Sequence, residues 1–118
     1  APTFGDKTKP EGRNKTFDTV KILSDAGLQV AIITDAPVIP IERLPLCAGY
    51  AISAGLKEQK AWECITINPA RIMGVDGRVG SIEPGKDADI VIHSGNPLTD
   101  IASHPLYTII DGKIIYQA

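Results

Sequence analysis

A continuous apolar run at residues 30–33 constrains the fold of this chain more than any other stretch of its sequence. The run reads Val-Ala-Ile-Ile and does not alternate with polar residues, as a half-exposed strand would. Parallel α/β sheets produce such runs because helices cover both faces of their strands. We therefore predict a strand at residues 28–34, buried on both faces and ending just before Asp35.

The segment before this strand has the pattern of a helix. Apolar residues recur at helical spacing within residues 15–26, namely Phe17, Val20, Ile22, Leu23 and Ala26. We expect Asn14 to cap the start of this helix, and Gly27 to end it because glycine adopts positive φ at little cost. A helix, a glycine turn and an apolar strand form half of a βαβ unit, so this part of the chain is predicted to be α/β.

The middle of the chain is predicted to be helical. Residues 44–54 and 58–65 form two predicted helices, which Gly55 separates. A third, short helix is predicted from Asn68 as N-cap, with Pro69 at its first position and a glycine stop at residue 74. Trp62 lies on the apolar face of its helix, which indicates a core position.

Residues 75–118 have a different character, with turn residues every few positions. Three strands are predicted here, at residues 88–93, 106–110 and 113–116. Asp111-Gly112 joins the last two, because both residue types tolerate the positive φ of a tight hairpin turn. The charged stretch at residues 83–89 is predicted to be a turn, since it lacks the ligand spacing of a calcium loop.

Composition and charge narrow the class of protein. The 118 residues are 43% hydrophobic and 22% charged with a net charge of −2, so we predict no nucleic-acid or membrane partner. Without an apolar run near 18 residues or a signal peptide, the expected location is the cytoplasm. Cys47 and Cys64 lie in apolar segments without metal-ligand spacing, which indicates two reduced core thiols.

Asp35 is the residue that most invites a chemical interpretation. An acid at the carboxyl end of a parallel strand lies where α/β folds place their active sites, and it could bind a metal or accept a proton. The residues alone favour the alternative that Asp35 caps the turn before Pro37. His93 and His104 have no partner at ligand spacing and are expected to be structural or surface histidines.

Several longer motifs resemble the amidohydrolase superfamily. The stretch GSIEPGKDADIVIHSGNPL at residues 80–98, followed by DGKIIY, is similar to the C-terminal signature of these enzymes. ITINPARIMGV at residues 65–75 is similar to the segment before it, and IITDAPVIP at residues 32–40 to the segment with the eighth barrel strand. The likeness is greatest to the imidazolonepropionase-like and metal-dependent dipeptidase branches.

The resemblance implies a fold and a division of the chain. The fold class would be α/β, as a C-terminal fragment of a (β/α)8 TIM-like barrel plus part of a small β-sandwich. Residues 1–74 would hold the last β/α units and the closing helices, with residues 1–4 at the end of strand seven or just after it. Residues 75–118 would supply the C-terminal strands of the composite sandwich.

The resemblance also implies a role for Asp35. In this family the aspartate after strand eight binds the catalytic divalent metal and accepts a proton from the attacking water. Asp35 would then be both metal ligand and catalytic residue in hydrolysis of a C–N bond of a cyclic or peptide-like amide. Zinc is the first expectation for the metal, with manganese or iron as alternatives. Ala36 departs from the histidine that often follows this aspartate.

The family's other metal ligands lie on strands that have no counterpart in this sequence. One carboxylate cannot hold a catalytic zinc, so the isolated chain is expected to be inactive and to bind no metal. An unpaired barrel strand also predicts a homo-oligomer, or association with a missing N-terminal part. The alternative hypothesis is a non-catalytic α/β assembly module, in which Asp35 is only a turn residue.

Overall fold

A computed structural model describes residues 10–14 and 16–118. Four α-helices come first within this part of the chain: α1 at Thr19–Asp25, α2 at Leu44–Ser53, α3 at Glu58–Ile65 and α4 at Ile67–Ile72. Short 3-10 turns lie at Pro10–Gly12 and Ile41–Arg43. Three strands follow: β1 at Ile90–His93, β2 at Pro105–Ile110 and β3 at Lys113–Gln117. The predicted end of strand seven, at residues 1–4, falls outside the described residues.

Helix α1 is shorter than the sequence predicted. It begins after Asp18, so the prediction of Asn14 as N-cap is wrong. The Thr19 hydroxyl donates to the Thr16 carbonyl at 3.1 Å, which fixes a turn where the first predicted helical turn would lie. The end is as predicted, because Gly27 has φ +81° and the Leu28 amide reaches back to the Leu23 carbonyl at 3.1 Å.

The predicted strand at residues 28–34 is wrong for the described chain. Burial alternates along residues 32–34 as it does in extended backbone, but among the described residues the segment has a single bridge, at Ile33. Ile32 and Thr34 are buried, whereas Ile33 between them is 48% exposed, so only one face is covered. A parallel strand requires a ladder with a neighbouring strand, and none of the three described strands pairs with this segment.

Helices α2 and α3 agree closely with the prediction, and the helix start after them does not. Gly55 separates α2 from α3 with φ +97°, as its conformational freedom suggested. Thr66, not Asn68, precedes α4, so Asn68 lies inside the first turn of that helix. Its side chain is used elsewhere, because it donates to the Val30 carbonyl at 3.0 Å.

The core lies where the helices meet the extended segment before Asp35. Its buried members come from both parts of the chain: Ile32, Ile39, Cys47, Ala48, Ala51, Leu56, Ala61, Cys64 and Leu98. Small residues on α2 and α3 allow these helices to pack closely, while Trp62 is only half-buried against the same cluster. Leu98 carries the loop after β1 into this core, and the division at residues 74 and 75 stays a prediction.

The strands form a three-stranded antiparallel sheet in the order β1-β2-β3. The predicted hairpin between β2 and β3 is confirmed, with φ of +48° at Asp111 and +71° at Gly112. The Asp111 amide donates to the Asp89 carboxylate at 2.9 Å, which ties the hairpin turn to the chain entering β1. The described part of the chain is therefore α/β in composition, and the barrel itself stays a prediction.

Candidate functional site

Asp35 lies at the end of the extended segment, at the start of a tight turn. The Val38 amide donates to the Asp35 backbone carbonyl at 2.9 Å, so the main chain closes this turn. The side chain is exposed and forms no hydrogen bond or ion pair with any residue that the structure describes. The alternative that the Asp35 side chain caps the turn therefore has no hydrogen bond to support it among the described residues.

The backbone of Asp35 is unusual in a way that bears on function. Its φ is +57°, in the left-handed region. Apart from glycine, few residues other than asparagine, aspartate and histidine adopt this region. Residues held in such conformations cost about 1–3 kcal/mol each and cluster at functional sites. Asp35 therefore holds a carboxylate with no partner among the described residues in a sparsely populated conformation, directly after the buried Thr34.

The two histidines do not join Asp35 in a metal site. His104 is exposed, and its Nδ1 lies 3.2 Å from both the Ser94 hydroxyl and the Ala102 carbonyl. His93 ends β1, and its Nδ1 is buried without a hydrogen-bond partner among the described residues. Across residues 10–14 and 16–118, no group of three or more His, Cys, Asp or Glu side chains could hold a metal ion.

Asp35 nevertheless fits the role of one metal ligand. A carboxylate oxygen suits zinc, manganese and iron, and the exposed side chain has no competing partner in the described chain. Zinc sites use three or more protein ligands, so the others must come from outside the described residues. The donor set here thus supports a partial site and not a complete one.

Both cysteines are buried and unbridged, as predicted. Burial raises the pKa of the Cys64 thiol, and its contact with the Asn68 side chain opposes this only in part. A thiol with a raised pKa is a poor nucleophile at neutral pH. Cys64 therefore contributes to packing, and its burial argues against a role as nucleophile.

A cleft of about 840 Å³ opens between α3, α4 and the sheet. Trp62, Ala70 and Ile90 lie among its mostly apolar lining residues, and Asp35 does not line it. At its rim the Lys86 amine lies 2.5 Å from the Ser81 hydroxyl and 3.4 Å from the Glu83 carboxylate. Hydrogen bonds from Ser81 and Lys86 lower the pKa of Glu83. The three side chains therefore satisfy one another within a local turn.

This local network confirms the prediction of a turn at residues 83–89, with Gly85 at φ +90°.

The residue that sequence reasoning misjudged is Asn68, whose side chain contacts the segment before Asp35. An asparagine before proline is the usual signal of a helix cap, and nothing in that local pattern indicates a partner at residue 30. Only the tertiary structure brings the Asn68 side chain to the segment that ends at Asp35.

The described residues thus combine helices, a small antiparallel sheet and a segment that ends at Asp35, whose carboxylate has no partner among them. Comparison with known proteins identifies the family. The profile of the amidohydrolase family matches residues 11–115, and the chain belongs to this family of hydrolases. The family is generally metal-dependent.

Curated relatives of this chain are hydrolases much longer than it. Amidohydrolase tasK of Hapsidospora irregularis is 35% identical over 104 residues, which is 88% of this chain and 10% of that protein. The imidazolonepropionase of Syntrophobacter fumaroxidans is 37% identical over 93 residues, which is 76% of this chain and 22% of the relative. The chain thus spans less than a quarter of the length of either relative.

Solved structures agree with the family and with the arrangement of the elements. An amidohydrolase from Thermotoga maritima superposes with a TM-score of 0.94 at 39% identity, covering 100% of this chain and 30% of that one. A Xaa-Pro dipeptidase with methionine in its active site gives a TM-score of 0.73 at 30% identity, covering 86% of this chain and 25% of the other. In the described residues, no helix has the length and apolar character needed to cross a membrane.

Proposed function

We propose that this chain contributes Asp35 to the active site of a metal-dependent amidohydrolase that hydrolyses a C–N bond of a cyclic or peptide-like amide. The observation that carries the proposal is the exposed Asp35 carboxylate, which has no partner among the described residues and is held at φ +57° directly after the buried Thr34. Family membership supports it, as do a relative named imidazolonepropionase and a structural neighbour named Xaa-Pro dipeptidase.

In this mechanism Asp35 has two tasks. The Asp35 carboxylate would be one of the groups that hold the divalent cation, for which zinc is the first candidate and manganese or iron are alternatives. The same carboxylate would accept a proton from the attacking water and pass it to the leaving nitrogen as the C–N bond breaks. A cation held there would supply Lewis-acid chemistry for the attack on the substrate carbonyl.

The remaining metal ligands belong to other parts of the complete enzyme, so the isolated chain is inactive under this proposal. Only one candidate ligand, Asp35, lies at this end of the segment, and no metal-binding group forms within the described residues. Three or more protein ligands hold a catalytic zinc. Under this proposal the small amide substrate contacts this chain only in the complete active site.

The test is the Asp35→Asn variant of the complete protein carrying this chain. Asparagine tolerates positive φ as aspartate does, so the variant removes the charge while keeping the backbone conformation. We expect hydrolysis to fall at least about 100-fold, since proton transfer alone contributes about 10²–10⁴-fold. We also expect weaker metal binding, measured by chelator competition.

Asp111→Asn is the matched control for this test. Asp111 also has a positive φ, +48°, but lies in the hairpin turn between β2 and β3. We expect this variant to keep normal activity and metal content. Unchanged hydrolysis and metal content in Asp35→Asn would refute the proposed role of Asp35.

A second candidate, a non-catalytic assembly module, is favoured by the uncovered sheet. Ile114, Ile115 and Tyr116 of β3 are 61%, 59% and 48% exposed, so apolar side chains face outward on both sides of this strand. In the described sheet, β1 and β3 each leave one edge unpaired. Such surfaces favour a homo-oligomer or association with a further part of the enzyme.

Sedimentation analysis of the isolated chain tests the association. We expect oligomers at micromolar concentration, and a chain that remains monomeric would contradict this candidate. The Asp35→Asn variant separates the two functions. Loss of metal binding in the complete protein supports the enzyme, whereas an assembly module carrying this substitution would associate as well as the unchanged chain.

A further inference from the structure

The junction between α3 and α4 leaves one backbone carbonyl free to act outside the helices. At Thr66 the backbone turns to φ −127° and ψ −88°, which breaks the helical path. In a continuous helix the Cys64 carbonyl would accept from the Asn68 amide four residues later. Here the Cys64 carbonyl accepts instead from the Ile32 amide at 2.9 Å.

The same junction supplies a hydrogen-bond donor to the same segment. The Asn68 Nδ2 donates to the Val30 carbonyl at 3.0 Å. In extended backbone the C=O of one residue and the N–H of the residue two positions later point to the same edge. One residue of a parallel neighbouring strand would satisfy this pair of groups, by accepting from one and donating to the other.

The α3–α4 junction therefore acts as a substitute for a neighbouring strand. It satisfies the two groups of residues 30 and 32 that would otherwise need a sheet partner. Asp35 lies three residues after Ile32. Ile32 and Thr34 are buried, at 3% and 5% exposure. A shift of the anchored edge would be transmitted to Asp35 over a span of roughly 10 Å, at about 3.3 Å per extended residue.

We propose that Asn68 is a positioning residue that holds the segment before Asp35 through the Val30 carbonyl. This inference rests on the proposed function for its effect on metal binding, and on the described contacts for its effect on the backbone. Removing the Asn68 donor leaves the partly buried Val30 carbonyl without its partner. The segment then loses half of its substitute strand and presents the carboxylate less rigidly.

Two variants of the complete protein remove the donor in different ways. Asn68→Ala deletes the side chain, whereas Asn68→Asp keeps its shape and replaces the donating nitrogen by an oxygen. Asn68→His is the rescue, because imidazole Nδ1 can donate from nearly the same position as the asparagine nitrogen. Asn96→Ala is the matched control, since Asn96 also uses its side chain for hydrogen bonds, to Glu58 and to the Leu98 amide.

The first readout is hydrogen exchange of the backbone amides in a peptide spanning residues 28–35, followed by mass spectrometry. We expect exchange about tenfold faster in Asn68→Ala and Asn68→Asp, near-normal exchange in Asn68→His, and no change in Asn96→Ala. The second readout is metal affinity by chelator competition. Loss of a group that supports a metal ligand typically weakens binding about 10–100-fold, so we expect about tenfold weakening.

The outcomes distinguish this inference from the proposed function. Unchanged exchange in both donor-free variants overturns the positioning role, whatever Asp35→Asn does to the metal. Faster exchange with unchanged metal affinity in the Asn68 variants overturns the link from Asn68 to the site, provided that Asp35→Asn weakens metal binding. If Asp35→Asn leaves the metal unaffected, the proposed function fails, while exchange in residues 28–35 still decides the positioning role. Should Asn68→Ala not fold, the comparison of Asn68→Asp with Asn68→His decides it.

Discussion

Gly49, in the middle of α2, is the position at which a single added methyl group should do the most damage to the packing of the two parts of the chain. A Cβ at residue 49 would lie 2.3 Å from the backbone oxygen of Leu98. Contacts below 3.0 Å are essentially never seen for Cβ atoms, so the helix and the loop would have to separate by at least about 0.7 Å.

The loop cannot yield easily, because its own hydrogen bonds fix it. The Leu98 amide donates to the Asn96 side chain at 3.1 Å, and that side chain donates to Glu58 of α3 at 2.7 Å. Overpacking costs about 1–3 kcal/mol, and a clash with a backbone atom, which cannot rotate away as a side chain can, places this one at about 2–3 kcal/mol. Alanine in place of glycine within a helix offsets about 1 kcal/mol of this. We expect Gly49→Ala to lower the free energy of unfolding by about 1–2 kcal/mol.

Urea denaturation of the chain measures this difference, and Gly77→Ala is its control. Gly77 has open space around the position of a Cβ and no positive φ, so the same substitution should change stability by less than about 1 kcal/mol. A melting temperature lower by about 4–8 °C per kcal/mol should accompany the Gly49→Ala loss. Equal or greater stability of Gly49→Ala would refute the close approach of α2 to Leu98.

Two further predictions concern the thiols and the exposed strand. Cys47 and Cys64 should react with a thiol reagent only after unfolding, and labelling of both within seconds in the native protein would contradict their burial. Because burial raises the pKa of Cys64, the unfolded chain loses its thiol proton at lower pH than the folded chain, so Cys64 contributes less stability as pH rises above the ordinary thiol range. Ile115→Lys should weaken self-association of the isolated chain at least tenfold in sedimentation, whereas Ile101→Lys, at a loop position that is 91% exposed, should not. Equal dissociation constants for these two variants would show that β3 is not the contact.

Local chemistry made much of this fold predictable. Helices α2 and α3 follow from apolar spacing and from Gly55, and the hairpin follows from Asp111-Gly112, because each signal acts within a few residues of chain. The start of α1 was missed because the Thr16 carbonyl accepts from the Thr19 hydroxyl in a turn, and propensity alone does not reveal that competing interaction.

The segment before Asp35 shows the limit of such reasoning. Its apolar run was interpreted as a strand covered on both faces, and composition cannot say which neighbours are present. In the described chain its partners are the Cys64 carbonyl and the Asn68 side chain, more than 30 residues away in sequence. Asn68 was assigned to a helix cap for the same reason, since a local pattern contains no information about a distant carbonyl.

The two sides of the segment before Asp35 differ in how far the described chain covers them. The helices cover Ile32 and Thr34 and satisfy the backbone groups of residues 30 and 32, so one side is supported within the described chain. Ile33 on the other side is 48% exposed, and Asp35 extends beyond the support without a described partner. Under the proposed function, burial of Ile33 and completion of a ligand set around Asp35 both require atoms on this second side. Under the proposed function, the chain that covers Ile33 would therefore be well placed to supply the missing metal ligands, so that folding of the segment and assembly of the active site depend on the same contact.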